Sequence, residues 1–243
     1  MIVSQPETSL RIEVAVAKLS KYAVRESGDT VEVTERPHGG ISVVLADGQG
    51  SGKHAKTLSN MVAKKAINLL ADGTRDGAAA RAVNDFLFAY RHGQVSAELA
   101  IVSADLVTRS IVISRNTRCP AILAQGGDID VWAEASTPIG IYGNTKPVIR
   151  ELGIDRGITV VIYSDGIHGA GQRRATPLDP VPIVRHHVER AASAQAIADA
   201  LLTEALARDE GRAADDMSVA VLAVREVERA DGARRLALYF PLG

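Results

Sequence analysis

The sequence predicts an α+β fold in which antiparallel β-sheets are covered by helices. The first observation behind this prediction is the order of the elements: strands come in runs, instead of alternating singly with helices as in a doubly wound parallel sheet. The second is that no charged or Pro/Ser-rich linker divides the 243 residues, which favours a single domain over residues 1–243. A chain of this length can bury a full core without disulfides.

The N-terminal half predicts strands followed by two helices. Alternating or continuous apolar residues predict strands at 10–17, 31–33 and 41–46. From residue 51 to residue 70 the apolar side chains recur every three to four positions, which predicts a helix with Ser51 as its N-cap. The same spacing predicts a second helix around residues 76–91.

The second half of the chain predicts mostly short strands between Gly- and Pro-containing turns. They are placed at residues 97–104, 109–114, 119–124, 129–133, 146–152, 158–164 and 217–224. The first two flank a turn near Asp105 and predict a hairpin. Residues 170–182 have the composition of a loop, and a helix is predicted over 193–208. The segment RRLALYF, after a turn at Asp231-Gly232, predicts a last strand, so residues 225–243 are expected to form a C-terminal hairpin.

Charge and cysteine content exclude several classes of protein. The 28 Lys and Arg residues against 29 Asp and Glu argue against broad binding to nucleic acid or acidic membranes, which needs a basic surplus. The single cysteine, Cys119, excludes a disulfide framework and fits a reducing compartment. No apolar run approaches the about 20 residues of a membrane span, and no secretion signal is recognisable. We therefore expect a cytoplasmic protein that binds neither nucleic acid nor membrane.

Acidic residues lie at the ends of three predicted strands. Asp47 and Asp165 each follow an apolar strand, and Asp215 and Asp216 precede another. In antiparallel neighbours the end of one strand lies beside the start of the next, so these carboxylates can meet at one edge of a sheet. Such a cluster needs a cation to offset its repulsion, and oxygen ligands without His or Cys suit Mg²⁺ or Mn²⁺. The carbonyl of Gly48 can face the same cation where the backbone turns.

Other sites fit the sequence less well. An Asp-Gly pair by itself is most often an ordinary turn. The segment GQGSGKH resembles a phosphate-binding loop, but the Walker pattern requires Gly at position 47 and Ser or Thr at position 54, where the chain has Asp47 and His54. A cysteine-phosphatase loop requires Arg six residues after Cys119, where the chain has Gln125. His168 lies three residues after Asp165, and a surface role is its simpler interpretation.

Four motifs in order resemble the protein phosphatase 2C family. They are SGD at residues 27–29, LADGQGSG at 45–52, YSDG at 163–166 and DDMS at 215–218. Within that family the chain is most similar to the bacterial SpoIIE-like branch, which the loops NTRCP at 116–120 and TPIG at 137–140 also resemble. Each motif is weak alone, but four in order are specific. They place the matched core at about residues 12–224.

The resemblance implies a four-layer αββα sandwich, in which two stacked antiparallel sheets have helices outside and a two-metal centre lies at one end. Carried over by position, Asp47 would bridge two Mn²⁺ or Mg²⁺ ions, and the Gly48 carbonyl would bind one of them. Asp165 and Asp215 would hold the other ion, and Asp29 would lie on the Gly48 side. Asp47, Asp165 and Asp215 would then be the catalytic carboxylates.

Two positions depart from the family's pattern. The residues after Asp165 read Ile-His-Gly-Ala-Gly, where many relatives carry an acidic residue. The phosphate-binding arginine of eukaryotic members has only a loose counterpart in Arg25, for which an exposed strand-end arginine is the simpler interpretation. The sequence leaves open whether Arg25 or His168 contacts phosphate. Asp216 is expected to orient Asp215 and not to bind metal.

The resemblance further implies a metal-dependent protein serine/threonine phosphatase. By likeness to short, stand-alone members, of which the stressosome feedback phosphatase is the type, the expected substrates are phosphorylated STAS-domain proteins (anti-anti-sigma factors or stressosome scaffolds). No sensor is expected in the same chain, so control would lie in substrate presentation or in a partner that touches the helices at 51–70 and 76–91. The alternative function is a non-catalytic binding module that keeps the fold. The oligomeric state stays open.

Overall fold

Ten strands and five α-helices make up the computed structural model, which describes residues 9–228 and 231–239. The strands are β1 (Ser9–Leu19), β2 (Asp29–Glu35), β3 (Gly40–Gly48), β4 (Ala97–Asp105), β5 (Ser110–Asn116), β6 (Ala121–Gln125), β7 (Asp128–Trp132), β8 (Val148–Gly153), β9 (Thr159–Tyr163) and β10 (Met217–Val227). The helices are α1 (Gly52–Ala71), α2 (Asp76–Arg91), α3 (Asp165–His168), α4 (Pro180–Glu189) and α5 (Ala194–Arg208).

The strands form two five-stranded sheets in which every pairing is antiparallel. One sheet has the order β1-β10-β9-β6-β7 and the other the order β2-β3-β4-β5-β8. The predicted hairpin near Asp105 is formed by β4 and β5. The antiparallel arrangement expected from the order of the elements is therefore confirmed.

The two sheets stack face to face, and helices cover the outer face of each. Val43 and Leu45 of β3 point between the sheets, where they share a core with Val160 of β9. Val44 and Ala46 point the other way and pack against α1 and α2. The outer face of the other sheet is covered by α4 and α5. The layers are thus α, β, β and α, which confirms the predicted sandwich and explains why β3, buried on both faces, is apolar without interruption.

The start of α1 differs in one detail from the prediction. Ser51 occupies the N-cap position with extended backbone, but its side chain makes no capping hydrogen bond. The predicted loop at 170–182 is also partly wrong, because it contains a 3-10 turn at Gln172–Arg174 and the first residues of α4. The side chain of Asp179 accepts a hydrogen bond from the Val181 amide, which caps α4 and starts this helix inside the expected loop.

The predicted C-terminal hairpin over residues 225–243 is wrong for the part of it that the structure describes. Residues 225–227 belong to β10, and residues 231–239, including most of RRLALYF, form no strand. Leu236, Leu238 and Tyr239 are all more than 80% exposed. Alternating apolar residues produce a strand only where a sheet edge accepts their backbone groups, and no described strand pairs with this segment. Residues 229–230 and 240–243 lie outside the described residues.

Among the described residues, none of the helices is long and apolar enough to cross a membrane.

Candidate metal centre

Three neighbouring strands of the second sheet carry acidic side chains in one row. Asp29, the first residue of β2, pairs with Asp47 near the end of β3, and Asp47 pairs in turn with Glu98 near the start of β4. Residues that pair directly across antiparallel strands point to the same face of the sheet, with their Cβ atoms about 5 Å apart. This face is the one that Leu45 presents to the inter-sheet core. The three carboxylates therefore form a row at one end of that core.

The other sheet brings two more acidic residues to the same end. Asp165 begins α3, two residues after the end of β9, and Asp215 lies two residues before β10, which pairs with β9. Ser164 joins these strand ends: its hydroxyl donates to the Asp216 carbonyl at 3.1 Å and accepts from the Ser218 amide at 2.9 Å. Only Asp165 and Asp215 lie at the ends of neighbouring strands as predicted. The expected meeting at one sheet edge is wrong for Asp47, because β3 belongs to the other sheet and its end reaches the same end of the sandwich through the stacking of the two sheets.

Asp47 lies at the electrostatic centre of the group. Burial raises the pKa of Asp47 above its ordinary value, and the carboxylates of Asp29, Asp165, Glu98 and Asp215 raise it further. Burial likewise raises the pKa of Asp29. For Asp165, burial and then the charge of Asp215 raise the pKa to about 6. Carboxylates that disfavour one another's ionised forms in this way become favourable neighbours when a cation lies between them.

The donor atoms fit a hard divalent cation. Both carboxylate oxygens of Asp29 are buried and have no hydrogen-bond partner among the described residues. An unpaired buried polar group is unfavourable by about 1–3 kcal/mol, and more if charged, so these oxygens point to a missing partner. Oxygen donors alone are the set that Mg²⁺ and Mn²⁺ prefer. Among the described residues, no three Asp, Glu, His or Cys side chains are already grouped closely enough to hold a metal ion.

Gly48 is required by the approach of α1 to the end of β3. A Cβ atom built on Gly48 would lie 2.2 Å from the carbonyl oxygen of Ala55, far inside contact distance. Only glycine therefore lets the first turns of α1 pack against the backbone beside Asp47. The helix is fastened to β2 as well, because the Thr30 hydroxyl lies 2.7 Å from the Ser59 hydroxyl and donates to the Asn60 side chain at 2.8 Å.

Three lysines surround the acidic residues. The ammonium groups of Lys18 and Lys56 both donate hydrogen bonds to the backbone carbonyl of Asp29, and Lys21 forms an ion pair with Asp215 at 3.6 Å. Burial, followed by the nearby charge of Lys56, lowers the pKa of Lys18 to about 8. These cations offset part of the negative charge, and Lys18 and Lys56 fix the backbone from which the Asp29 side chain projects.

The carboxylate of Asp216 accepts hydrogen bonds from two backbone amides. One oxygen accepts from the Lys21 amide at 2.9 Å and the other from the Gly28 amide at 2.7 Å. These bonds fasten the segment before Asp29 to the start of β10. The contact of this residue with Asp215, which it was expected to orient, is made by its backbone amide, which donates to an Asp215 oxygen at 3.0 Å.

Sequence reasoning did not identify Glu98. The signal that could have identified it is the position of an acidic residue at the start of a predicted strand. The prediction of a hairpin does not use that position. Arg25 and His168 are exposed, and neither side chain forms a hydrogen bond or an ion pair with the described residues; the His168 ring stacks on Tyr163.

Comparison with known proteins identifies a family and a relative. The family model described as Stage II sporulation protein E (SpoIIE) matches residues 37–225. The Stage II sporulation protein E of Bacillus subtilis (strain 168) is 23% identical over 216 residues, which are 89% of this chain and 26% of that protein. The chain thus spans about a quarter of the length of the curated relative that it matches.

Solved structures have the same fold. The PP2C phosphatase domain of SpoIIE from Bacillus subtilis, solved with a fragment of its regulatory domain, has a TM-score of 0.77 and 22% identity over 90% of this chain and 65% of that chain. RsbX in complex with magnesium has a TM-score of 0.67 and 16% identity over 89% and 99% of the two chains. A structure reported for the bacterial stressosome has a TM-score of 0.63 and 19% identity over 87% and 99%. The chain therefore has the fold of PP2C phosphatases.

Proposed function

The chain belongs to the SpoIIE family, and from that premise we propose that it is a metal-dependent protein serine/threonine phosphatase. The observation that carries the proposal is the row formed by Asp29, Asp47 and Glu98, which faces Asp165 and Asp215 of the other sheet. Both buried carboxylate oxygens of Asp29 lack a hydrogen-bond partner among the described residues, and a bound cation would compensate them.

Five groups would hold two Mn²⁺ or Mg²⁺ ions: Asp29, Asp47, the Gly48 carbonyl, Asp165 and Asp215. Bound divalent ions supply a water of lowered pKa and offset the charge of the phosphoryl oxygens. RsbX, which has the same fold, was solved in complex with magnesium. Asp47 lies between the acids of both sheets, so its carboxylate is the one placed to be shared between two ions.

The chain's own residues argue for direct attack by water, without a covalent phosphoenzyme. Cys119 is buried, and burial raises the pKa of its thiol, so it is a poor nucleophile. Asp165 is exposed and Asp215 is half-buried, so the acidic end of the sandwich is open to solvent. A phosphoserine or phosphothreonine on the surface of a folded protein can approach such an open end.

The expected substrates are phosphorylated STAS-domain proteins of partner-switching systems, in a cytoplasmic signalling or stress response. Two likenesses support this narrower proposal: the resemblance to short stressosome-type phosphatases, and the shared fold with RsbX and with a structure reported for the bacterial stressosome, each matched over 99% of its length. Regulation would act through substrate presentation or through a partner that contacts α1 and α2, because α1 packs directly on the backbone of Gly48.

Hydrolysis of p-nitrophenyl phosphate in the presence of Mn²⁺ tests the chemistry. The parent protein should be active. Asp47→Asn should lower kcat by at least about 100-fold, because the carboxamide lacks the negative charge with which Asp47 would hold the metal ions. Asp72→Asn, an exposed residue at the end of α1, is the matched control and should keep parent activity. Parent-level hydrolysis by Asp47→Asn would refute the proposed site.

A second assay separates the chemistry from the substrate. Phosphorylated STAS proteins encoded near the gene should be dephosphorylated in a Mn²⁺-dependent reaction, whereas an unrelated phosphoprotein should react much more slowly. If the protein hydrolyses the small ester but dephosphorylates none of the STAS proteins, the proposed phosphatase activity stands and the proposed STAS substrates are wrong. Binding of these phosphoproteins without any hydrolysis of either substrate would favour the non-catalytic module.

A further inference from the structure

Glu98 occupies a position in the acidic row that none of the sequence motifs includes. It is directly opposite Asp47 in the register of β3 and β4, on the face that points between the sheets. Asp47 and Glu98 line one narrow recess together with Thr117 and Ser164. Glu98 therefore faces the same space as the proposed metal ligands, although it lies outside that set.

The carboxylate of Glu98 is held by the loop that leads from β5, in the same sheet, to β6, in the other sheet. The Thr117 hydroxyl donates to one of its oxygens at 2.5 Å, and the Arg118 amide donates to the other at 3.2 Å. The Thr117 oxygen itself accepts from the Cys119 amide at 3.0 Å, which leaves its proton free for Glu98. Both bonds fix the direction of the Glu98 carboxylate.

A second observation favours a cation at this row. Asp29 is 1% exposed, its two carboxylate oxygens have no hydrogen-bond partner among the described residues, and it pairs with the same Asp47 that pairs with Glu98. Asp47 thus has an acidic neighbour on each side. Asp29 has oxygens without a hydrogen-bond partner among the described residues. Glu98 is held by the Thr117 hydroxyl and the Arg118 amide and, more weakly, by the Cys119 thiol at 3.9 Å.

We propose that Glu98 is a positioning residue of the metal centre, whose fixed negative charge beside Asp47 raises the affinity of the centre for a divalent cation. This inference rests on the proposed function for the existence of the centre, and adds a residue to it. Glu98 acts on the cation through space and through Asp47, as partners behind a metal ligand commonly do. The loop containing Thr117 and Arg118 acts as a clasp that keeps the charge in place.

The substitution Glu98→Gln removes the negative charge of the side chain and keeps its hydrogen bonds to the loop. The carboxamide oxygen can still accept from the Arg118 amide, and its NH₂ group can donate to the second lone pair of Thr117. Thr117→Val is the complementary variant, because it removes one bond of the clasp and leaves the charge. Glu189→Gln, on the exposed end of α4, makes the same chemical change far from the row and is the matched control.

Calorimetric titration of the metal-free full-length protein with MnCl₂ measures the effect without reference to catalysis. Glu98→Gln should weaken Mn²⁺ binding by about tenfold or more, within the range seen for residues behind metal ligands. Its Tm without metal should not fall, since a repulsive charge is removed while the clasp is kept. Thr117→Val should lower the metal-free Tm and change the affinity by less than about threefold. Glu189→Gln should match the parent in both measurements.

The titration has outcomes that overturn the proposal. Parent-like Mn²⁺ affinity in Glu98→Gln would mean that Glu98 only fastens the loop. If Glu98→Gln does not fold, Glu98→Asp keeps the charge and should retain the affinity within about threefold, and a tenfold loss there would contradict the proposal. A parent protein that binds no Mn²⁺ would overturn it together with the metal centre. A parent that binds Mn²⁺ but hydrolyses no phosphate ester would refute the proposed function alone, and Glu98 could still be judged from the affinities.

Discussion

Asp29 and Asp47 of the row and Asp165 of the other sheet have different environments, and those environments determine how each carboxylate responds to protons. Asp29 is buried without hydrogen-bond partners among the described residues, Asp47 is surrounded by four acidic neighbours, and Asp165 is exposed to solvent. All three have raised pKa values in the folded state. The folded protein without metal therefore binds more protons than the unfolded chain at mildly acidic pH.

We expect the stability of the metal-free protein to fall as the pH rises. For Asp165 the ordinary pKa is 3.8 and the folded value about 6, so its contribution is lost across that interval. The slope is negative because the unfolded state binds fewer protons than the folded state there. Thermal unfolding in chelator at a series of pH values checks this.

Saturating Mn²⁺ should remove most of that pH dependence above about pH 6, because the ionised carboxylates are then the favoured forms. Asp47→Asn should show a shallower loss of stability than the parent without metal. A metal-free protein whose Tm rises steadily over the same pH range would contradict the interpretation of the row.

At the scale of single elements, α1 connects the helical layer to the proposed site. Its early turns lie against Gly48, its Lys56 binds the carbonyl of Asp29, and its Ser59 and Asn60 contact Thr30. A shift of this helix would move the backbone that carries two proposed metal ligands. Helix position and metal affinity are therefore expected to change together.

Gly48→Ala should destabilise the protein by about 1–3 kcal/mol and reduce Mn²⁺-dependent hydrolysis strongly, because its Cβ would press 2.2 Å from the Ala55 oxygen and displace α1. Chemical denaturation and the p-nitrophenyl phosphate assay measure the two effects. Gly153→Ala in β8 is the control, since a Cβ built there meets nothing within 4 Å. An equal effect of the two substitutions would argue against close packing of α1 as the cause.

Helix α2 is anchored by a buried ion pair at the opposite end of the second sheet. Arg36 and Asp76 lie 3.4 Å apart with side chains 5% exposed, and Ser103 and Ser42 complete the network. Arg36 also forms a longer ion pair with Asp105, at 3.7 Å. Without Asp76 the buried Arg36 would keep only that pair, so its charge would be poorly compensated, which is unfavourable. This network fixes the start of α2 without contact with the acidic row.

Asp76→Ala should lower the free energy of unfolding by about 3 kcal/mol, the lower end of the range for a broken buried pair, because Asp105 still faces Arg36. Folded protein should keep parent Mn²⁺ affinity at low temperature, because the network is remote from Asp47. Asp130→Ala, which breaks the exposed pair with Arg150, should cost less than about 1 kcal/mol. Denaturant titrations compare the two, and similar losses would refute the importance of burial.

For the whole molecule, the site lies where two separate sheets end. One sheet contributes Asp29, Asp47 and Glu98. The other contributes Asp165 and Asp215, which lie at the ends of its inner strands β9 and β10. A cation held by both groups would link the layers and would bind the folded state in preference to the unfolded chain. Metal binding is then also a contribution to stability.

Addition of Mn²⁺ at about 100 times its dissociation constant should stabilise the fold by about 2.7 kcal/mol, and EDTA should reverse the effect. Differential scanning calorimetry of the full chain measures the shift in Tm. Asp47→Asn should show little shift at the same concentration. A parent Tm that does not respond to Mn²⁺ would contradict a metal that joins the two sheets.

The sequence by itself determined the elements that have strong local periodicity. The sequence predicts the apolar run of β3, the helical spacing of α1 and the antiparallel order of the strands. It also predicts that Asp47, Asp165 and Asp215 lie at strand ends. Side-chain periodicity is fixed by the backbone geometry of a helix or strand, so a local pattern reports it directly.

Only the tertiary structure decided which residues are neighbours across strands. Glu98 joins the row because of the register between β3 and β4, and register depends on residues about 50 positions apart. The C-terminal segment has the alternation of a strand but forms none over residues 231–239, because a strand also needs a neighbouring strand to pair with and none of the described strands pairs with this segment. Local patterns carry the periodicity of an element, whereas its partners are set by the packing of the entire sandwich.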